Sequence, residues 1–325
     1  MPSSPTTVVG GGIAGTACAR VLAEAGLPVR VLDRGRRPGG RMASRTLHDR
    51  TVDIGASYLT AEQGSPFAAV VRGWVDRGLA RPWTDTFAVA GPEGLRSTTT
   101  GPVRYAAPGG LRSLVADLAS GLDVESGRTV AAVGPGPRVD DEDVPAAVLA
   151  MPDPQARRLL DPATAGRLLD DRPWEPSLAV VLGWSQRRWP ADLHGAFVHD
   201  DPAVTWVADD GDRRGDAAPV LVAHTTAELA AAHLEDPDAA AGPVAAAVGR
   251  ALGIDVPPAW TTVHRWTYAR PAEARSEPFG LADGIGVCGD GWSAPSRVQA
   301  AWTSGTALGR ALLATHRGRR PGSSS

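Results

Sequence analysis

Three glycines followed by a distant acid are the residues of this chain best suited to bind a ligand that carries phosphate. Gly10, Gly12 and Gly15 lie between an apolar run and a helical pattern, and Asp33 ends the next apolar run. A glycine turn lets the backbone approach a pyrophosphate, and the N-terminus of a helix favours negative charge. The acid can accept hydrogen bonds from ribose hydroxyls. Strand, glycine turn, helix, strand and acid together predict a dinucleotide site.

A second glycine-rich loop, which is also basic, follows the acid directly at residues 35–42. Pyridine-nucleotide dehydrogenases usually enter another helix at this point. The Gly39-Gly40-Arg41-Met42 segment instead resembles the FAD-binding domain of the glutathione reductase-like flavoproteins, a group that includes the amine oxidases. This resemblance predicts FAD as the cofactor. The alternative is a solvated basic turn.

Later segments add candidate cofactor contacts. Residues 51–60 are predicted to form a strand that ends in a turn of small residues, where a planar ring can approach. A helix predicted to start at residues 293–295 could stabilise negative charge on a reduced flavin. The predicted cofactor residues are Gly10, Gly12, Ile13, Ala14, Gly15, Asp33, Arg34, Gly40, Arg41, Met42, Gly55, Ala56, Ser57, Val130, Asp290, Arg297 and Val298.

The order of these patterns predicts an α/β fold. It is a Rossmann-type FAD-binding domain of the glutathione reductase-like kind, with an inserted α+β substrate domain built on a mostly antiparallel sheet. The FAD-binding domain is predicted at residues 1–62, 101–155 and 276–316, and the substrate domain at 63–100 and 156–275. Residues 317–325, which are mostly Gly, Arg and Ser, are predicted to be a disordered tail.

Several elements can be predicted from local patterns. The apolar run 146–150 is typical of a buried parallel strand, and 129–133 is predicted to be a strand. Residues 134–143 are typical of an exposed hairpin. Apolar spacing predicts an amphipathic helix over 65–77, with Ser65 as its N-cap.

Composition excludes several classes of protein. The chain has 325 residues, a net charge of −3 and a pI near 6.2, so nothing indicates a nucleic-acid partner or an anionic membrane surface. No apolar stretch is long enough to span a membrane, and we expect a cytoplasmic protein. Two cysteines and scattered histidines predict neither a disulfide framework nor a metal site. Attachment of the flavin through Cys288 is a less favoured alternative.

Segments from nearly the whole chain resemble the renalases, especially the bacterial ones. These segments are LDRG at 32–35, GGRMASR at 39–45, DIGASYLTA at 53–61, MPDPQ at 151–155, RWTYA at 265–269, CGD at 288–290 and RVQAAWTSG at 297–305. The first and last segments are shared with the wider amine oxidase superfamily. MPDPQ and RWTYA are more particular to renalase-like proteins.

The resemblance implies a non-covalent FAD oxidase that acts on a small molecule and O₂. Such an enzyme removes hydride from the 2- or 6-dihydro isomers of NAD(P) and reduces O₂ to H₂O₂. Ser57 stands where many relatives carry Gln, and Gln299 stands where Glu is common. The candidate walls of the substrate pocket are Tyr58, Trp206, Tyr268 and Trp292.

Other functions stay open. A flavin amine oxidase often places a lysine near flavin N5, but this chain contains no lysine. A biosynthetic small-molecule oxidase or dehydrogenase would carry the same FAD motifs, as would a flavin-binding protein without turnover. No general base is assigned, because hydride loss from a dihydropyridine is driven by aromatisation. The oligomeric state is left open.

Overall fold

The computed structural model describes residues 4–273 and 275–319, and these form two compact units. Unit 1 comprises the described residues of Met1–Gly40, Val115–Trp174 and Arg270–Ser325. Unit 2 comprises Arg41–Leu114 and Glu175–Ala269.

The strands are β1 (Thr6–Val9), β2 (Val29–Asp33), β3 (Ser44–Leu47), β4 (Arg50–Asp53), β5 (Arg81–Gly91), β6 (Gly94–Ala106), β7 (Asp123–Ser126), β8 (Val133–Gly134), β9 (Arg138–Val139), β10 (Glu142–Asp143), β11 (Ala147–Leu149), β12 (Trp174–Gly183), β13 (Gly195–Val198), β14 (Val204–Asp209), β15 (Val220–Thr225), β16 (Trp260–Pro271), β17 (Gly280–Ala282) and β18 (Ile285–Val287). The helices are α1 (Ile13–Glu24), α2 (Pro66–Asp76), α3 (Leu111–Leu118), α4 (Asp153–Arg157), α5 (Pro162–Leu168), α6 (Asp210–Arg214), α7 (Ala227–Ala232), α8 (Ala241–Leu252) and α9 (Val298–Arg319).

Unit 1 contains a six-stranded sheet in the order β17-β18-β11-β1-β2-β7. Strands β1, β2, β7, β11 and β18 run parallel, and β17 is antiparallel to β18. The β11 residues are fully buried, so the prediction of a buried parallel strand at 146–150 is confirmed. This parallel sheet with α1 between β1 and β2 is the Rossmann arrangement.

Unit 2 contains a seven-stranded sheet in the order β16-β12-β15-β14-β13-β5-β6. Strand β5 is antiparallel to β6 but parallel to β13, so this sheet is mixed. The predicted cap of α2 is confirmed, because the Ser65 side chain accepts a hydrogen bond from the Ala68 N–H. Helix α8 packs its buried Val and Ala side chains against the sheet.

Two local predictions are wrong. Residues 129–132 are not a strand, since the Asp140 carboxylate accepts hydrogen bonds from the N–H groups of Ala131 and Ala132. The strand predicted within 51–60 is present as β4, which ends at Asp53, and the small residues Gly55, Ala56 and Ser57 lie in the loop that follows it. The last helix begins at Val298 rather than at residues 293–295, which follow a 3₁₀ turn at Asp290–Trp292.

The packing units and the predicted functional domains divide the chain differently at residues 41–62, 101–114, 156–174 and 270–275. Packing does not show which residues bind a ligand, so the functional boundaries stay predictions. Residues 317–319 continue α9, and the rest of the predicted disordered tail lies outside the described residues. Among the helices described, none combines the length and apolar character that a membrane span requires.

Candidate dinucleotide site

The turn after β1 has no room for side chains at two of its glycines. Gly10 has φ +113°, and a Cβ there would lie 2.5 Å from the Ala150 carbonyl oxygen. A Cβ on Gly15 would lie 2.0 Å from the Gly10 oxygen. These positions set the tight turn and bring α1 against β1.

Helix α1 starts at this turn with Gly12 as its N-cap, so no side chain caps it. The first intrahelical bond links the Thr16 N–H to the Gly12 oxygen at 3.0 Å. The N–H groups of Ile13 and Ala14 therefore have no acceptor within the helix. Such a terminus offers backbone donors and a positive dipole end to an anion.

Asp33, at the end of β2, is held by two backbone N–H groups. Its Oδ2 accepts from Gly11 at 2.5 Å, and its Oδ1 accepts from Gly35 at 2.6 Å. A carboxylate oxygen can accept more than one hydrogen bond, so each oxygen keeps capacity for a ligand hydroxyl. The contacts fix the carboxylate next to the glycine turn.

The second glycine loop packs directly on the first. The Gly39 N–H donates to the Gly11 oxygen at 2.8 Å. Gly40 has φ +54°, and a Cβ there would lie 3.0 Å from the Gly12 Cα. The two backbones therefore pack closely, and a side chain at Gly40 would push them apart.

The other predicted residues of unit 1 have different surroundings. Arg34 is exposed, and Val130 is buried in a core cluster with Val9. Asp290 is buried, and its Oδ2 accepts from the Ser296 hydroxyl at 2.5 Å. Trp292, predicted as a pocket wall, is 4% exposed in the core cluster of unit 1.

The Trp292 ring lies under a buried arginine that the sequence reasoning missed. The Arg275 guanidinium is centred 4.2 Å from that ring and forms a 2.5 Å ion pair with Asp153. Arg297 and Val298 stand at the start of α9, both half-buried.

In unit 2 the loop after β4 is pinned at several points. The Trp266 indole N–H donates to the Ile54 oxygen at 2.6 Å, and the Ala56 N–H donates to the Arg41 oxygen at 2.8 Å. A Cβ on Gly55 would lie 2.0 Å from the Arg41 oxygen. The Arg41 guanidinium in turn donates to the Ala269 oxygen on β16, while the next residue, Met42, is buried.

Two of the predicted pocket residues, Tyr58 and Trp206, meet in one group of aromatic side chains. Their ring centroids lie 5.7 Å apart. Tyr268 lies on β16, half-buried and outside this group. Burial raises the pKa of Tyr58, and the nearby Arg104 guanidinium partly offsets this. We call this group the aromatic cluster; its members are Tyr58, Trp83, Phe87, Phe197 and Trp206.

Ser57, just before the aromatic cluster, is held from two sides. The Trp206 indole N–H donates to Ser57 Oγ at 3.0 Å. The Arg213 guanidinium donates to the Ser57 carbonyl oxygen at 2.8 Å. The structure thus gives the predicted cofactor residue Ser57 and the predicted pocket residue Trp206 a direct hydrogen bond.

A network of buried charged side chains lies next to the loop after β4, and it was not predicted from the sequence. Asp53 pairs with Arg214 at 2.9 Å, and Asp210 pairs with Arg213 at 2.5 Å and with Arg214 at 3.2 Å. Burial acts to raise the pKa of Asp210, but the guanidinium groups outweigh it and hold that pKa below its ordinary value. The DDGDRR run at 209–214 was the available signal, although charge runs are usually solvated.

His224, on β15, is a further ionisable residue that was not predicted from the sequence. Its Nε2 is buried, and no described residue supplies a hydrogen-bond partner for it. Burial lowers the pKa of His224 to about 4, and the Arg213 guanidinium adds to this effect. The imidazole is therefore neutral at pH 7.

The two cysteines are buried, and burial raises the pKa of Cys18 to about 12 and that of Cys288 well above its ordinary range. Neither thiol is an activated nucleophile. Within the described part of the chain, no group of three or more His, Cys, Asp or Glu side chains is arranged to hold a metal ion.

Known proteins share this architecture. A family model for NAD(P)-binding Rossmann-like domains matches residues 8–74. Over 73 residues the chain is 37% identical to Protein FLOWERING LOCUS D of Arabidopsis thaliana, a match that covers 21% of this chain and 9% of that protein. The chain thus spans under a tenth of that relative's length.

Two solved structures resemble the whole chain. A candidate protoporphyrinogen oxidase from Exiguobacterium sp. 255-15 matches with a TM-score of 0.76 and 15% identity, over 97% of this chain and 100% of that one. Wild-type putrescine oxidase bound to putrescine matches with a TM-score of 0.72 and 14% identity, over 96% and 99%. Fold and geometry together therefore describe a Rossmann-type unit with a candidate dinucleotide site and a second, mixed-sheet unit.

Proposed function

We propose that this protein is an FAD-dependent oxidoreductase that holds its cofactor without a covalent link. The observation that carries the proposal is the Asp33 carboxylate, fixed by the N–H groups of Gly11 and Gly35 beside the uncapped N-terminus of α1. The fold shared with protoporphyrinogen oxidase and putrescine oxidase structures supports a flavin enzyme.

The residues of unit 1 fit the dinucleotide part of FAD. Asp33 accepts the ribose hydroxyls, and the backbone donors of Ile13 and Ala14 bind the pyrophosphate. Gly40 packs against Gly12, where a Cβ on Gly40 would lie 3.0 Å from the Gly12 Cα, and this contact holds the second glycine loop beside the proposed phosphate site. When bound, FAD accepts a hydride equivalent from an organic substrate and passes two electrons to O₂.

For the substrate we propose the 2- or 6-dihydro isomers of NAD(P), based on the renalase-like segments. The substrate loses one hydride, which leaves the nicotinamide cation, and O₂ gains two electrons and two protons to give H₂O₂. Aromatisation drives the loss of hydride, so the protein needs no general base. The residues proposed to orient the dihydropyridine ring are Tyr58 and Trp206 of the aromatic cluster together with Tyr268.

Negative charge must be stabilised during the reaction. The N–H groups at Arg297 and Val298 begin α9, a 22-residue helix, and offer the positive end of its dipole. Asp290 is proposed to bind the ribityl or pyrophosphate region, where its contact with the Ser296 hydroxyl fixes its orientation.

Anaerobic stopped-flow spectroscopy tests this function. The purified yellow protein is mixed with 2-, 4- or 6-dihydro-NAD(P), or with a panel of amines, while flavin absorbance near 450 nm is followed. Rapid bleaching by the 2- or 6-isomer alone, followed by recovery and H₂O₂ formation in air, is expected. Bleaching by amines alone would assign the protein to the amine oxidases instead.

A further inference from the structure

Among the described residues, the hydroxyl group of Ser57 has one hydrogen-bond partner, and that partner can only donate. Ser57 is 7% exposed, and its Oγ accepts from the Trp206 indole N–H at 3.0 Å. An indole nitrogen has no capacity to accept. The Ser57 hydroxyl proton must therefore go elsewhere, and no residue in the described ranges accepts it.

The direction of this hydroxyl group is fixed by a rigid support. The Ser57 carbonyl oxygen accepts from Arg213, and the Arg213 side chain is fully buried and paired with Asp210 at 2.5 Å. Trp206 is itself packed in the aromatic cluster, with its ring centroid 4.7 Å from that of Phe87. Main chain and side chain of Ser57 are thus both held before any ligand arrives.

We propose that Ser57 donates its hydroxyl proton to an acceptor atom of a bound ligand and that Trp206 is the positioning residue that orients it. The acceptor is a carbonyl oxygen or an unprotonated ring nitrogen, chemistry that the flavin ring and a substrate carboxamide both offer. This inference rests on the proposed function. A buried donor left without a partner is costly, so the site selects ligands that carry such an acceptor.

Four variants test the proposal in flavin-loaded protein: S57A, S57T, W206F and the S57A/W206F double variant. The Thr variant keeps a hydroxyl group, and the Phe variant keeps an aromatic ring but lacks the N–H. Two properties are measured for each variant. The first is the visible absorption and circular dichroism of the oxidised flavin without substrate, and the second is the Kd for NAD⁺, used as a non-reacting probe.

If the acceptor belongs to the flavin, S57A shifts the visible spectra of the substrate-free protein and S57T restores them. If it belongs to the nicotinamide ligand, the spectra are unchanged and S57A raises the Kd for NAD⁺ about three- to tenfold. In either case W206F gives a smaller effect of the same kind, and W206F adds little in the S57A background because Phe keeps the aromatic ring and the lost N–H acts through Ser57.

S57A that alters neither the spectra nor the Kd would overturn this proposal, as would fully additive effects of the two substitutions. Thermal melting of each variant separates these results from loss of folding. Wild-type protein that neither retains flavin nor binds added FAD would overturn the proposed function together with this inference. If the wild type carries flavin but S57A changes neither the visible spectra nor the Kd for NAD⁺, this inference alone is overturned.

Discussion

At the scale of single residues, the proposed dinucleotide site depends on how Asp33 is held. The two N–H groups that bind its oxygens belong to separate turns, one before α1 and one after β2. The carboxylate therefore ties those turns together as well as offering acceptors to a ribose. An amide has one acceptor atom where the carboxylate has two.

Asp33→Asn should weaken FAD binding at least about tenfold, because the amide NH₂ must face one of the two N–H groups and a charge-assisted bond is lost. Fluorescence titration of the apoprotein with FAD measures the Kd. Asp141→Asn, at an exposed aspartate, is the matched control and should leave the Kd unchanged. Equal affinities for D33N and wild type would remove Asp33 from the proposed site.

His224 predicts a pH dependence of stability. Its pKa is about 4 in the folded chain, below the ordinary value of 6.5. The unfolded chain therefore binds a proton first, and stability is lost as the pH falls from about 6.5 towards 4. Between pH 7 and pH 5 this group should account for on the order of 1–2 kcal/mol.

Denaturant unfolding at pH 7 and pH 5 measures this effect. His224→Gln, which cannot be protonated, should reduce the loss of stability between the two pH values. His199→Gln, at an exposed histidine, should leave that loss as it is in the wild type. An unchanged pH dependence in H224Q would contradict the assignment.

At the scale of elements, α1 and α9 approach each other closely at one glycine. A Cβ on Gly305 would lie 1.9 Å from the Ala14 carbonyl oxygen. Ala14 is in the first turn of α1, the turn that carries the free backbone donors. The position of the dinucleotide turn thus depends on a helix nearly 300 residues away in the chain.

Gly305→Ala should therefore lower both the stability of the protein and its affinity for FAD, because the extra methyl group forces α1 away from α9. Gly73→Ala is the matched control: it lies inside α2 with open space around it and should stabilise the protein by about 0.5–1 kcal/mol. Thermal unfolding and FAD titration measure the two quantities. A G305A protein as stable as wild type would show that the helices adjust freely.

Helix α6 joins the loop after β4 through buried charges. Arg214→Met leaves Asp53 without its 2.9 Å partner and should cost about 3–5 kcal/mol of unfolding free energy. Arg96→Met breaks an exposed pair with Asp200 and should cost under about 1 kcal/mol. Denaturant unfolding distinguishes the two, and similar losses in both variants would contradict a structural role for the network.

The sequence predicted the elements whose cause is local. The glycine turn, α1, β2 and the Ser65 cap follow from spacing within a few residues, and these are present as expected. Contacts between residues that lie far apart in the sequence could not be predicted from local patterns. Nothing near Arg213 indicates that it holds the carbonyl of Ser57, and nothing near His224 indicates that burial keeps its imidazole neutral. The parallel pairing of β5 with β13 likewise joins two strands that lie far apart in the sequence.

At the scale of the whole molecule, bound FAD should stabilise the folded protein. A ligand that binds only the folded state adds about 2.7 kcal/mol when its free concentration is 100 times its Kd. The flavin-loaded protein should melt several degrees above the apoprotein, and added FAD should restore the difference. Equal melting temperatures of the two forms would argue against tight cofactor binding.

The chain passes between its two packing units at four places, after residues 40, 114, 174 and 269. A gene fragment from one continuous stretch cannot encode either unit. An engineer who wished to exchange the mixed-sheet unit for that of a related flavoprotein would have to transplant two segments together and preserve four junctions. Changes of substrate in such a scaffold are therefore more readily made by single substitutions within a unit than by recombination of whole units.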